Sequence, residues 1–165
     1  MNERKILDKK LLLALQLVDS GCSYAAQKDI DSAISCFKQS IGHEPTPEAY
    51  TYWGWMLSMK EQLSEAIELC KKAIAIDPDF GNPYNDIGSY LMRLGKMDEA
   101  MAWLEMAKLS KRYAYRHYPH INLGRIYFEK GWLNQAIKEF ESSLQFDPEN
   151  DEIKGILRDL HQSIH

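Results

Sequence analysis

A glycine followed twelve residues later by an alanine occurs four times along this chain: Gly21 and Ala33, Gly54 and Ala66, Gly88 and Ala100, Gly124 and Ala136. Successive pairs are 33, 34 and 36 residues apart, which places a short insertion between the third and fourth units. Self-similarity at this period marks a stacked-repeat architecture, and it limits the fold more than any local propensity does. Other positions keep the register. Leu17, Tyr50, Tyr84 and His120 stand four before the glycines, and Tyr24, Leu57, Leu91 and Tyr127 three after them. Phe37, Cys70, Leu104 and Phe140 follow the alanines by four. Pro45, Pro78 and Pro148 close three units; Arg112 holds that place in the third. The residue before a proline is pushed out of the helical region, so Asp77-Pro78 and Asp147-Pro148 read as helix stops.

Within a unit the apolar spacing is helical. Ala66, Ile67, Cys70, Ala73 and Ile74 recur at i, i+3, i+4, i+7 and i+8. Gly95 and Gly131 fall where a first helix should end in a left-handed cap. Asp98 and Asn134 are placed to start the second helix, through side-chain capping or the helix dipole. Each unit is therefore expected to be a helical hairpin whose small Gly and Ala let antiparallel helices approach closely. Leucine at Gly88 or Ala100 should overpack that contact and cost about 1–3 kcal/mol. One hairpin cannot bury its own apolar face, but stacked neighbours can. Residues 151–165 read as a further helix capping the stack. Its apolar face is Ile153, Ile156, Leu157, Leu160 and Ile164, while Lys154, Arg158, Asp159 and Gln162 face outward. Residues 1–10 read as a polar N-terminal extension.

Tyr84-x2-Ile87-Gly88-x2-Leu91 and Ala136-x3-Phe140 resemble the signature of the tetratricopeptide repeat family, W-x2-L-G-x2-Y followed by A-x3-F and P. Ser20 in the first unit and Arg112 in the third depart from it. The resemblance covers residues 11–150, as four repeats at about 11–46, 47–80, 81–114 and 117–150. It implies an all-α fold, a right-handed α-solenoid of about four helix-turn-helix units plus the C-terminal capping helix. In the family the first helices of the units line a concave groove that holds peptides or partner helices. The matching positions here are Tyr52, Trp55 and Met59 in the second unit. The third offers Asn82, Asn85, Asp86, Ser89 and Arg93, and the fourth Tyr118, Asn122, Arg125 and Phe128. Amides there can bond an extended backbone, and the aromatics can anchor side chains. One subfamily clamps the C-terminal carboxylate of heat-shock chaperones with a lysine and an asparagine. Val18 and Cys22 stand at those places here, or Thr51 and Trp55 one unit on, and neither set can act so. Arg93 and Arg125 offer another geometry for an acidic residue.

Composition narrows the function classes. The chain has 165 residues, 45% of them apolar and 27% charged, which suits a folded globular domain and not a disordered one. Its formal net charge is −4, whereas a non-specific nucleic-acid binder needs surplus Lys and Arg. The stretch from Lys108 to His120 runs against that balance. Lys108, Lys111, Arg112 and Arg116 alternate there with Tyr113, Tyr115 and Tyr118. Such a pattern suits single-stranded RNA, but the preferred reading is an extended second helix and a turn, with tyrosines packed between units and arginines in water. It can also complete a peptide site. His117 and His120 lack a third metal ligand at suitable spacing, and no GxGxxG, Walker or HExxH motif is present. Cys22, Cys36 and Cys70 read as three free thiols in a reducing compartment. Arg4-Lys5, the apolar run Leu11 to Val18 and Gly21-Cys22 have the outline of a bacterial lipoprotein signal, but Glu3, Asp8, Gln16 and Asp19 oppose it. No run reaches the roughly 20 apolar residues of a membrane span. The expectation is a non-catalytic, cytoplasmic protein-binding module without metal or cofactor, with nucleic acid disfavoured as a partner. A secretion-type chaperone and a self-assembling homo-oligomeric scaffold are the alternatives.

Overall fold

The structure is a computed structural model that describes residues 3–163. Ile164, assigned above to the last apolar face, lies outside the described residues. Among these, nine helices follow one another: α1 (Glu3–Ala26), α2 (Ile30–His43), α3 (Pro47–Met59), α4 (Leu63–Ile76), α5 (Asn82–Arg93), α6 (Met97–Leu109), α7 (His117–Glu129), α8 (Leu133–Leu144) and α9 (Asp151–Ser163). α1 with α2, α3 with α4, α5 with α6 and α7 with α8 form the closest pairs, which are the four hairpins. The chain is an all-α solenoid.

The repeated small residues explain the pairing. A Cβ placed on Gly21 would lie 2.5 Å from the Phe37 ring, and one on Gly88 would lie 2.6 Å from Leu104. Gly54 meets a harder wall, the Ala66 carbonyl oxygen at 3.0 Å. Ala33, Ala66, Ala100 and Ala136 are fully buried across these contacts. Gly95 and Gly131 turn the third and fourth hairpins with φ of +74° and +73°, as the sequence predicts. Lys28 and Glu61 do the same work in the first two hairpins at φ +62° and +61°. Asp98 and Asn134 make no capping hydrogen bond. They lie in the first turns of α6 and α8, where Asp98 suits the dipole and pairs with Lys130 at 2.7 Å. The side-chain caps are Asp29 to Ser32 N at 3.1 Å, Thr46 to Ala49 N at 3.2 Å and Asn150 to Ile153 N at 3.1 Å.

Odd-numbered helices touch their odd-numbered neighbours: α1 meets α3, α3 meets α5 and α5 meets α7. The even-numbered helices make no comparable contact with one another, so the stack curves with its odd-numbered helices on the inside. α9 packs on α8, burying Ile153, Leu157 and Leu160 against Ala136 and Phe140. Residues 3–10 continue α1, which overhangs its shorter partner α2.

Candidate functional site, the concave face

Exposed large side chains stand on two of the inner helices, α3 and α7. Trp55 and Met59 of α3 are one turn apart and 45% and 47% exposed; Tyr118 and Phe128 of α7 are 48% and 53% exposed. Tyr52 is half-buried, its ring 6.0 Å from that of Phe37. Burial raises its pKa to about 12, with Cys22, Glu48, Tyr115 and Asp86 adding to the rise.

The polar positions fare unequally. Asn85 is buried, and its Oδ1 accepts from Asn122 Nδ2 at 3.1 Å, so these amides bond each other across α5 and α7. Arg93 donates to the Ser58 carbonyl at 3.0 Å and to Glu61 at 2.8 Å. Arg125 pairs with Glu152 of α9 at 3.0 Å. Both arginines reserved in the sequence for an acidic ligand therefore already have partners. Asn82 and Ser89 are half-buried. Val18 and Thr51, the positions compared with the chaperone clamp, are buried, and Thr51 donates to Pro47 O at 2.7 Å.

Asp86 differs from all of these. Its carboxylate makes no ion pair among the described residues. Burial lifts its pKa to about 7, against a smaller opposing pull from the Asn85 amide.

The C-terminal end of the hollow is a pocket of about 590 Å³ between α7 and α9. Met92, Phe128, Ile156 and Leu160 give it apolar walls, and Arg125 and Asp159 stand at its rim. The α9 side of this pocket escapes sequence reasoning, because the capping helix reads as a lid with a single apolar face.

The basic, tyrosine-rich segment is absorbed by the fold. Lys108 bonds Glu139 at 3.0 Å, and the Arg112 guanidinium bonds Asp77 at 2.6 Å and Glu48 at 2.7 Å while stacking 4.2 Å above Phe80. Arg116 donates to the carbonyls of Lys108 and Ser110 at 3.2 and 2.8 Å, closing the end of α6. Tyr113 is buried against Gly81 and packs with Tyr84 and Ala107. An isolated parallel β-bridge joins Phe80 to Arg112. Only Lys111 is left largely in water, with its side chain 83% exposed. All four cations of the stretch therefore have partners within the chain, Lys111 with Asp79 at 3.4 Å included. His120 stacks on Phe146 and bonds Glu139 at 2.6 Å, while the His117 ring lies 4.1 Å from that of Tyr118. Among the described residues no group of three or more His, Cys, Asp or Glu is placed to hold a metal ion, and no helix is long and apolar enough to cross a membrane.

Models of the tetratricopeptide repeat match residues 18–79, 57–117 and 117–150. The chain belongs to the tetratricopeptide repeat family. It is 30% identical over 154 residues to the tetratricopeptide repeat domain-containing protein PYG7, chloroplastic, of Arabidopsis thaliana, a match over 85% of this chain and 49% of that one. The chain spans about half or less of the length of the curated relatives it matches. Among solved structures, PilF of Pseudomonas aeruginosa superposes with a TM-score of 0.86 at 20% identity, over 95% of this chain and 70% of its own. The second tetratricopeptide repeat domain of Spaghetti (RPAP3), bound to the HSP90 peptide SRMEEVD, superposes with a TM-score of 0.60 at 20% identity, over 65% of this chain and 99% of its own.

Proposed function

We propose that this chain is a protein-interaction module that holds an extended peptide or a partner segment in its concave face. The observation behind this reading is that Trp55, Met59, Tyr118 and Phe128 stand exposed along the inner helices and lead into the apolar pocket beside α9. Large apolar groups clustered at a concave surface mark a recognition site. The peptide held by the RPAP3 domain supports the same use of the fold. No catalytic role is assigned to any residue. The test is selection from a peptide display library. Trp55→Ala combined with Phe128→Ala should weaken the selected peptides at least tenfold and leave the helical circular-dichroism spectrum unchanged. Unaltered binding by this double variant would refute the groove.

One feature favours the scaffold as a second reading. Leu7, Leu11, Leu12 and Leu15 of α1 are 42–58% exposed at the open end of the stack. Terminal units of a solenoid normally carry a polar outer face. Light scattering that shows a monomer at all concentrations would remove this reading, whereas concentration-dependent assembly abolished by Leu12→Glu would support it.

A further inference from the structure

We infer that the projecting end of α1 docks into the α7–α9 pocket of a second copy, so that the chain assembles head to tail. The inference rests on the second reading above and names the surface that the exposed leucines of α1 meet. Leu7, Leu11, Ala14, Val18 and Ala25 recur at the spacing of one helix face. Ala14, Val18 and Ala25 are buried, whereas Leu7 and Leu11 are 58% and 42% exposed. The change falls where the neighbouring helices stop. Ser40, in the last turn of α2, donates to Ala14 O at 2.8 Å, and α3 begins at Pro47, the position equivalent to Ala14 one unit on. The stripe therefore runs on beyond both helices. Ile6, Leu12, Leu13 and Leu15 add exposed apolar surface on other sides of α1, interleaved with Lys5, Lys9 and Lys10. A helix lying on a membrane keeps its charges to one side. One that is apolar on several sides is suited to enclosure by protein.

The pocket supplies the matching surface. Its 590 Å³ or so is a size in which proteins enclose ligand groups, and Met92, Phe128, Ile156 and Leu160 wall it. Glu129 and Asp159 line it together with Arg125, whose charge Glu152 meets at 3.0 Å, so the pocket is acidic. Lys5, Lys9 and Lys10 outnumber Asp8 on the docking segment and give it the opposite sign. Complementary charge selects which surfaces meet, and it works against pairing one α1 with another. α1 packs on α2 and α3, and α9 on α8, at opposite ends of the stack, so a copy does not fill its own pocket. Two unlike surfaces joined between copies make a heterologous contact, which extends past a dimer.

The test is light scattering on the full chain and on blocked variants, each with an unchanged helical circular-dichroism spectrum. Leu7→Glu with Leu11→Glu blocks the segment, and Phe128→Glu with Ile156→Glu blocks the pocket. Glu129→Lys with Asp159→Lys, both exposed, is a second pocket variant that leaves the apolar walls intact. Wild type should assemble past the dimer as concentration rises. Each apolar-to-Glu variant alone should need at least about tenfold more protein to associate, and the charge reversal at least about threefold more. An equimolar mixture of segment-blocked and pocket-blocked chains should give a 1:1 dimer and nothing larger, because one intact joint remains between them. Pocket variants that assemble as wild type does overturn the inference and leave the scaffold reading standing. A wild type that stays monomeric at every concentration removes the scaffold reading and this inference with it.

Discussion

The ring of Phe140 stands 2.6 Å from the point a Cβ on Gly124 would occupy. No side chain fits there without moving a residue that is 1% exposed at the centre of the last hairpin. Gly124→Ala should therefore destabilise by about 1–3 kcal/mol, read as a lower urea midpoint with an unchanged slope. Gly42→Ala is the control. A Cβ there meets nothing within 4 Å, and alanine in the last turn of α2 should be neutral or gain up to about 0.5 kcal/mol. Equal effects at the two glycines would contradict the packing account.

Glu139 joins α8 to both Lys108 and His120. Burial works to raise its pKa, but hydrogen bonds from His120 and Lys108 outweigh that and leave it lowered. A lowered carboxyl contributes stability above its unfolded value of roughly 4, and the contribution is lost as pH falls through the folded value. Glu139→Ala should cost about 2 kcal/mol at pH 7, because two half-buried donors lose their acceptor. The gap from wild type should close in acid; a gap constant down to pH 3 would exclude this linkage.

Asp86 titrates with the opposite sign. Its folded pKa, about 7, lies above the unfolded one, so its contribution is fully present below roughly pH 4 and is lost as pH rises through 7. Asp86→Asn removes that loss. The variant should match wild type near pH 4 and exceed it by about 2 kcal/mol at pH 8, a figure reduced for the partial exposure of the carboxylate. Thermal melts at the two pH values decide it: a variant less stable at pH 8 would show that Asp86 has a resident partner.

Arg112 ties the third unit to the second. Arg112→Ala removes the bonds to Asp77 and Glu48 and the stacking on Phe80, all of them partly in water, and should cost about 1 kcal/mol. The hydrogen bond from Arg112 is the largest reason that the Asp77 pKa is lowered. That part of the effect therefore holds above the carboxylate range and fades below about pH 3. Hydrogen exchange should quicken at Gly81 N, which bonds Arg112 O at 3.0 Å. Exchange that is unchanged there would show that the side chain does not hold this loop.

Much of the architecture is legible in the residues. Gly88 and Ala100, and their three counterparts, mark close helix contacts because only small side chains fit. Gly95 and Gly131 mark left-handed turns because glycine enters that region freely. Lys28 and Glu61 make the same turn silently, since nothing in a lysine or glutamate announces a positive φ. The positions of the proposed groove can be named from the sequence, but not the bonds they make with one another. Asn85 and Asn122 bond each other, and Arg93 and Arg125 hold Glu61 and Glu152, 32 and 27 residues away in sequence. The reach of Arg112 to Glu48 spans 64 residues, so composition alone shows a basic stretch where the fold shows a neutralised one.

A stacked helical coil is springy, because each unit can tilt slightly on the next. The β-bridge between Phe80 and Arg112, with Tyr113 wedged against Gly81, fastens one inter-unit linker to the following one. This clasp removes a degree of freedom at mid-length. Tilting between the second and third units should therefore be smaller than at joints without such a bridge among the described residues.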